Sequence, residues 1–280
     1  MVNPIILAIY SMLLTGSSDF LYRRARIKGA SPEFFLFIQA IFFNSFNLIY
    51  IAFQKSLEIS IATVFFGVCC GILAYSSVLL FLKSLSKGQA SINVTIFRLS
   101  FIITTILAII FIHEEATLGK FLAISLAAFS IIALSKSLET RNIHYSILIQ
   151  LLFATFLYGL FGFLYKIAIS TGSTPTGIVA MQGATFFTLS FITSKIKNSI
   201  SMSRSVLTHA PVCGVLLVSS FLLLLESLKF GEVSVSFSIV QISFVFTSIL
   251  AIVFLGEKFK MLNFFGIAAA VLAVCSFAFL

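Results

Sequence analysis

The sequence predicts an all-α integral membrane protein whose ten transmembrane helices form two inverted-topology repeats of five. Three observations carry that prediction. First, a shift of 143 residues lays one half on the other without a gap: Phe20-Leu21-Tyr22-Arg23 falls on Phe163-Leu164-Tyr165-Lys166, Pro32 on Pro175, Gln39 on Gln182, and Glu114 on Glu257. Between Leu82 and Ala127, 18 of 46 aligned pairs are identical, including Ile106 to Ile109 on Ile249 to Ile252. A period this long is a duplicated half-protein rather than a solenoid unit. Second, 60% of the residues are hydrophobic, 10% are charged and the mean hydropathy is +1.14, which leaves no water-soluble surface to build. Third, the apolar runs are long enough to cross a hydrocarbon core of about 30 Å, which takes about 20 helical residues. They are continuous rather than alternating, so they read as helices and not as barrel strands.

The spans fall at 4–22, 34–53, 61–82, 89–112, 118–135, 146–165, 176–194, 206–225, 232–255 and 261–280, dividing the chain into units 1–137 and 138–280. Helix one runs straight into Arg23, Arg24, Arg26 and Lys28 with no small-residue cleavage site, and it has a repeat partner in helix six. It is therefore expected to belong to the fold rather than to be a removable signal. Helices two and seven carry the aligned Gln39 and Gln182, which read as structural, as do Asn44 and Asn47. Helix three has Gly67 and Gly71 in a small-residue pair matched by Ala210 and Gly214 of helix eight, a pattern that lets helices approach closely. Gly88 and Gly231 break the turns before helices four and nine, and Glu114 and Glu257 end those helices at opposite faces. In helices five and ten, Ala123 and Ala127 match Gly266 and Ala270. Short loops, including the polar link from Ser135 to His144, leave no room for a soluble domain, so function must sit inside the bundle.

Basic residues report orientation. Loops 1–2, 3–4, 5–6, 7–8 and 9–10 hold 13 Lys and Arg against 4 in the other aqueous segments. The positive-inside rule then places those loops in the cytoplasm and both termini outside. This bias accounts for the +9 net charge without nucleic acid. Loop 1–2 carries four basic residues and its repeat equivalent, loop 6–7, one; loop 2–3 carries one and its equivalent, loop 7–8, three. Opposite bias in homologous halves is what an odd number of helices per half requires.

Two stretches are the most specific. Ser84-Leu85-Ser86-Lys87-Gly88-Gln89-Ala90 leads to Phe111-Ile112-His113-Glu114, and Ser227-Leu228-Lys229-Phe230-Gly231-Glu232-Val233 leads to Phe254-Leu255-Gly256-Glu257. Over essentially its whole length the chain resembles the drug/metabolite transporter superfamily, in particular its EamA-type ten-helix members. His113 stands where that pattern has Gly. The resemblance implies a secondary transporter with a central cavity bordered by helices one, three and six. Ten-helix members are often described with cytoplasmic termini, and the charge count here argues the reverse.

An ionisable side chain in mid-helix is costly in hydrocarbon and marks function by default. Arg98 is the clearest case. Ser91, Thr95, Arg98 and Thr105 share one face of helix four, and helix nine repeats the stripe as Ser234, Ser238, Gln241 and Ser248. Two polar stripes on repeat-related helices suggest one shared cavity near the pseudo-two-fold axis. A guanidinium there favours a carboxylate or phosphate; the bland alternative is that Arg98 snorkels or pairs with an internal acid. Asp19 is the natural partner to test, or an interfacial residue beside Arg23 and Arg24, or a carrier of a coupling proton. Tyr10, Tyr75 and Tyr158 combine a ring with a hydroxyl and are candidate substrate contacts, with interhelical bonding an equal reading. Asp19, Glu114 and Glu257 are the coupling or gating candidates.

Enzyme chemistry finds little support. Cys69, Cys70, Cys213 and Cys275 show no metal-ligand spacing, His113, His144 and His209 are scattered, and no phosphate loop appears, so neither a metal, nor a cofactor, nor direct use of ATP is expected. The partners expected are a small-molecule substrate and the lipid bilayer, with pairing into a homodimer left open; a bacterial or archaeal inner membrane is the expected location. The best reading is alternating-access transport of a small polar metabolite, an amino acid or another carboxylate-bearing anion or zwitterion. Efflux of organic cations or drugs, and lipid handling of a flippase type, stay open as alternatives.

Overall fold

The computed structural model describes residues 3–27, 31–54, 57–87, 93, 96–136, 145–197, 203–255 and 261–278. The seam between the two units, 137/138, and the link up to His144 lie outside them. Helices run Pro4–Ile27, Pro32–Gln54, Ile61–Lys87, Leu118–Lys136, Tyr145–Ser170, Pro175–Ile196, Arg204–Phe230 and Met261–Ala278. Helix four is α-helical over Ser100–Leu107 and π-helical over Ala108–Ile112, and helix nine comes in two pieces, Val233–Gln241 and Ser243–Leu255. Seven candidate spans are long and apolar enough to cross a membrane; Ile96–Ile112, Leu118–Ala133 and Phe264–Ser276 are shorter apolar helices within the described residues. Helices one, three, six and eight outrun their predicted ends by about one turn, because the backbone goes on making helical bonds past the end of the apolar run.

Packing obeys the repeat. Helix one lies on helix eight as helix six lies on helix three, and helix eight meets helix two as helix three meets helix seven. Helix one meets helix nine as helix six meets helix four, while two and seven, four and nine, and five and ten pair with their own equivalents. Exchanging the halves maps this set of contacts onto itself, so a pseudo-two-fold axis passes between helices four and nine. Five spans per half turn the second copy over, which is the inverted topology that the charge pattern predicted.

In lipid no hydrophobic force drives apolar helices together, so close approach and buried hydrogen bonds do that work. A Cβ on Gly71 would lie 2.9 Å from the Gln182 carbonyl oxygen, and one on Gly214 would lie 2.6 Å from that of Gln39. The same seam is thus built twice. Hydrogen bonds repeat as well: Thr104 Oγ1 donates to the Gly159 carbonyl at 2.7 Å, and Thr247 Oγ1 to the Gly16 carbonyl at 2.9 Å. His113, which stands where the family pattern has Gly, sits at φ 58°, a left-handed conformation that glycine adopts at lower cost.

Candidate substrate-binding site

Helices four and nine were expected as continuous rods, and both are interrupted at equivalent places. Helix four turns at Leu99, where the Leu99 N–H donates to Ile96 O and the Ile102 N–H to Leu99 O. Helix nine does the same at Ile242, whose N–H reaches Ile239 O while the Val245 N–H reaches Ile242 O. These are tight three-residue bonds inside an otherwise α-helical path. No Pro or Gly announces either break, so neither is legible in the sequence.

One residue before each break stands the site. Arg98 Nη1 donates to Gln241 Oε1 at 2.9 Å across 143 positions of chain. Arg98 and Gln241 are therefore repeat partners in contact, and equivalent residues touch only across the two-fold axis. Arg98 Nη2 pairs with the Asp19 carboxylate of helix one, which also accepts from Ser243 Oγ at 3.5 Å. Arg98 is only 3% exposed. Its Nε and the Gln241 Nε2 are buried donors with no acceptor among the described residues. The repeat partner of Asp19 is Gly162, so both charges of the pair are departures from symmetry, and they compensate one another.

This pair borders a small cavity. Its polar wall is Thr15, Asp19, Tyr22, Gln39, Arg98 and Tyr158. Aromatic rings fill much of the rest, with Phe97 stacked on Phe81 at 4.3 Å between centroids. A second, smaller space between helices two, seven and eight shares Gln39, Phe186 and Phe221 with it. The lining comes from the late turns of helices one and three and the early turns of helix two. The cavity therefore lies toward the face where helix one ends, the basic-loop face, and away from the face where helix one starts, the terminal face.

The other sequence candidates are placed as follows. Ser91, Thr95 and Glu257 lie outside the described residues. Tyr158 is in the cavity wall. Tyr75 stands behind the wall, its hydroxyl sharing a hydrogen bond with Thr193 and its ring edge on Phe186. Tyr10 is 56% exposed on the outside of helix one, away from the cavity. Ser234 and Ser238 are buried off the cavity: the Ser238 hydroxyl donates to the Ser234 carbonyl, and the Ser234 hydroxyl donates to Glu114. A serine in a lipid-embedded helix satisfies itself on nearby backbone unless a better partner is offered.

Glu114 supplies that partner as a cap. Its carboxylate accepts the Val233 N–H at 2.7 Å and the Ser234 N–H at 3.1 Å, closing the orphan donors at the start of helix nine. Glu114→Ala is expected to cost about 1–2 kcal/mol of stability. Hydrogen exchange should show faster exchange at the Val233 and Ser234 amides; unchanged protection there would contradict the capping role.

Two features escaped sequence reading. Tyr22 donates to Gln39 Oε1 in the cavity wall, and Tyr165 donates to Gln182 in the equivalent place. The repetition of both pairs at one offset was the available signal. Glu33, buried at the start of helix two, lies 3.6 Å from Lys83 and 3.5 Å from Lys197 on the basic-loop face, joining the ends of helices three and seven.

Inverted five-helix halves, two helices broken at the axis, and a charged pair in a mid-bundle cavity together define a membrane transporter of the inverted-repeat class. The chain belongs to the EamA-like transporter family, whose model matches it twice, over residues 2–136 and 145–279, at an offset of 143 at both ends. A crystal structure of another protein, 12% identical, superposes with a TM-score of 0.82 over 98% of this chain and 95% of that one, which establishes the fold. None of the curated proteins compared matches the chain.

Proposed function

We propose that this transporter carries a small polar metabolite bearing a carboxylate, an amino acid or another anion or zwitterion, by alternating access around Arg98. The observation that carries the reading is the pair of buried, unmatched donors on neighbouring side chains, Arg98 Nε in the cavity wall and Gln241 Nε2 on the fully buried side chain behind it. A buried donor left without an acceptor costs about 1–3 kcal/mol. A ligand with two acceptor oxygens removes that cost twice over, with the charge-assisted geometry that guanidinium favours. Asp19 holds the guanidinium neutralised and oriented until the ligand arrives, and its side chain, 18% exposed, is available to a ligand ammonium. The rings of Phe81, Phe97 and Tyr158 receive the ligand's apolar body. The two halves then rock about the axis between Arg98 and Gln241, exchanging the face to which the site opens.

The test is thermal unfolding in detergent against a panel of amino acids, other carboxylates, nucleotides and quaternary cations. A ligand that binds only the folded state raises the melting temperature by mass action. A carboxylate-bearing compound is expected to stabilise the protein and to lose its effect in Asp19→Asn/Arg98→Gln. Stabilisation by quaternary cations alone would move the assignment to organic-cation efflux, with Asp19 as the counter-charge.

A further inference from the structure

The cavity is one-sided, and the chain's own repeat explains why. Its floor, toward the terminal face, is a cluster of five rings: Tyr158, Phe161, Tyr165, Phe221 and Phe237. Phe161 lies 4.3 Å from Tyr165 and 5.8 Å from Phe221 between ring centroids, and Tyr158 lies 5.3 Å from Phe161 and 5.9 Å from Phe237. Phe161 and Tyr165 are fully buried, and Phe237 is 1% exposed. The repeat partners of these five are Thr15, Ser18, Tyr22, Val78 and Val94, so four rings in the second half answer to small side chains in the first. Thr15, Tyr22 and Val78 border the cavity. Where the first half leaves room, the second half is solid. The backbone is fitted to this filling: a Cβ on Gly162 would lie 2.7 Å from the Phe237 ring, and the repeat partner of Gly162 is Asp19.

We propose that these rings form an aromatic gate that closes the path to the terminal face, and that the basic-loop end, where charged groups meet instead of rings, is the end from which the cavity is reached. At the basic-loop face Glu33 ties Lys83 and Lys197 by charge; the repeat partners of those three are Thr176, Glu226 and Gln54, which cannot make the same tie. The aromatic end depends on ring interdigitation, with pairs worth about 0.5–1.5 kcal/mol each beyond their burial, and it is indifferent to salt. The charged end, partly exposed, weakens as ionic strength rises. Passage to the terminal face requires the Phe161 and Phe237 rings to part, whatever the substrate, so the gate can be tested without knowing the substrate.

The experiment introduces Val78→Cys into protein whose Cys69, Cys70, Cys213 and Cys275 are replaced by Ala. It is reconstituted in vesicles of one orientation and treated with a membrane-impermeant methanethiosulfonate from either face. The introduced thiol should react from the basic-loop face and at least tenfold more slowly from the terminal face. Adding Phe161→Ser and Phe237→Val, the side chains of the repeat partners, should raise terminal-face reaction at least tenfold, while Phe121→Ser on the exposed side of helix five should leave it unchanged. Should the double substitution not fold, Phe237→Val alone carries the same expectation with a smaller rise. One-sided reaction that survives the folded gate variants, or equal reaction from both faces before any ring is removed, overturns the proposal.

Discussion

Arg98→Leu with Asp19 left in place is expected to destabilise the protein by about 3–5 kcal/mol, because it strands a buried carboxylate without its cation. Asp19→Asn alone should cost less, since Gln241 still accepts from Arg98 Nη1 and the asparagine oxygen can accept from Nη2. The informative variant is the pair, Asp19→Asn/Arg98→Gln, which removes both charges and keeps polar side chains of similar size. It should regain most of the stability lost by Arg98→Leu, because hydrocarbon-embedded charges are what made the single loss expensive. A double-mutant cycle built from Asp19→Asn, Arg98→Gln and their combination, read by thermal or denaturant unfolding in detergent, measures the coupling directly. Near-additive effects of the Asp19 and Arg98 substitutions would mean that the pair is not coupled in the membrane-embedded fold.

Gly16→Val and Gly159→Val are expected to come next in size. A Cβ at Gly16 would lie 2.7 Å from the Ser243 carbonyl oxygen and 3.1 Å from Phe246 Cβ; at Gly159 it would lie 2.8 Å from the Ser100 carbonyl oxygen and 2.7 Å from Ile103 Cβ. Neither seam can accept a branched side chain without helix one moving off nine, or six off four. The move also breaks the Thr247 bond to Gly16 O or the Thr104 bond to Gly159 O. Overpacking of this kind costs about 1–3 kcal/mol before the lost hydrogen bond is counted. The two glycines should differ in function. Gly16 lies one turn from Asp19, so its substitution should also weaken ligand binding, whereas the residue one turn on from Gly159 is Gly162, which carries no charge. Ligand titrations of both variants separate the two effects, and equal losses of affinity would count against the one-sided site.

The fold was legible because duplication writes itself into spacing. The offset of 143, the opposite charge bias of equivalent loops and the apolar spans together define the topology that the packing displays. The contact between Arg98 and Gln241 was implicit too, since repeat partners on helices that flank a two-fold axis must lie close. Sequence reading fell short where a local choice between equivalent hydrogen bonds decided the outcome. The breaks at Leu99 and Ile242 use no helix-breaking residue. Ser234 and Ser238 lie on the expected polar stripe, yet their hydroxyls are taken up by Glu114 and by the helix's own backbone. Tyr10 shares helix one with Thr15 and Asp19 but points off the bundle, a rotation that an apolar helix with polar residues on several sides does not reveal. The aromatic floor was visible in the alignment of Ser18 with Phe161 and Val94 with Phe237, but among 34 phenylalanines it was indistinguishable from lipid-facing filling.

The most direct test of the account is counterflow in proteoliposomes, using the carboxylate compound that stabilises the protein best. Vesicles loaded with the unlabelled compound should accumulate labelled compound through the unsubstituted protein. Those holding Asp19→Asn/Arg98→Gln should accumulate at least tenfold less, although the variant is folded. Counterflow by that variant at the full rate would show that the guanidinium at the two-fold axis supports the bundle and does not hold the substrate.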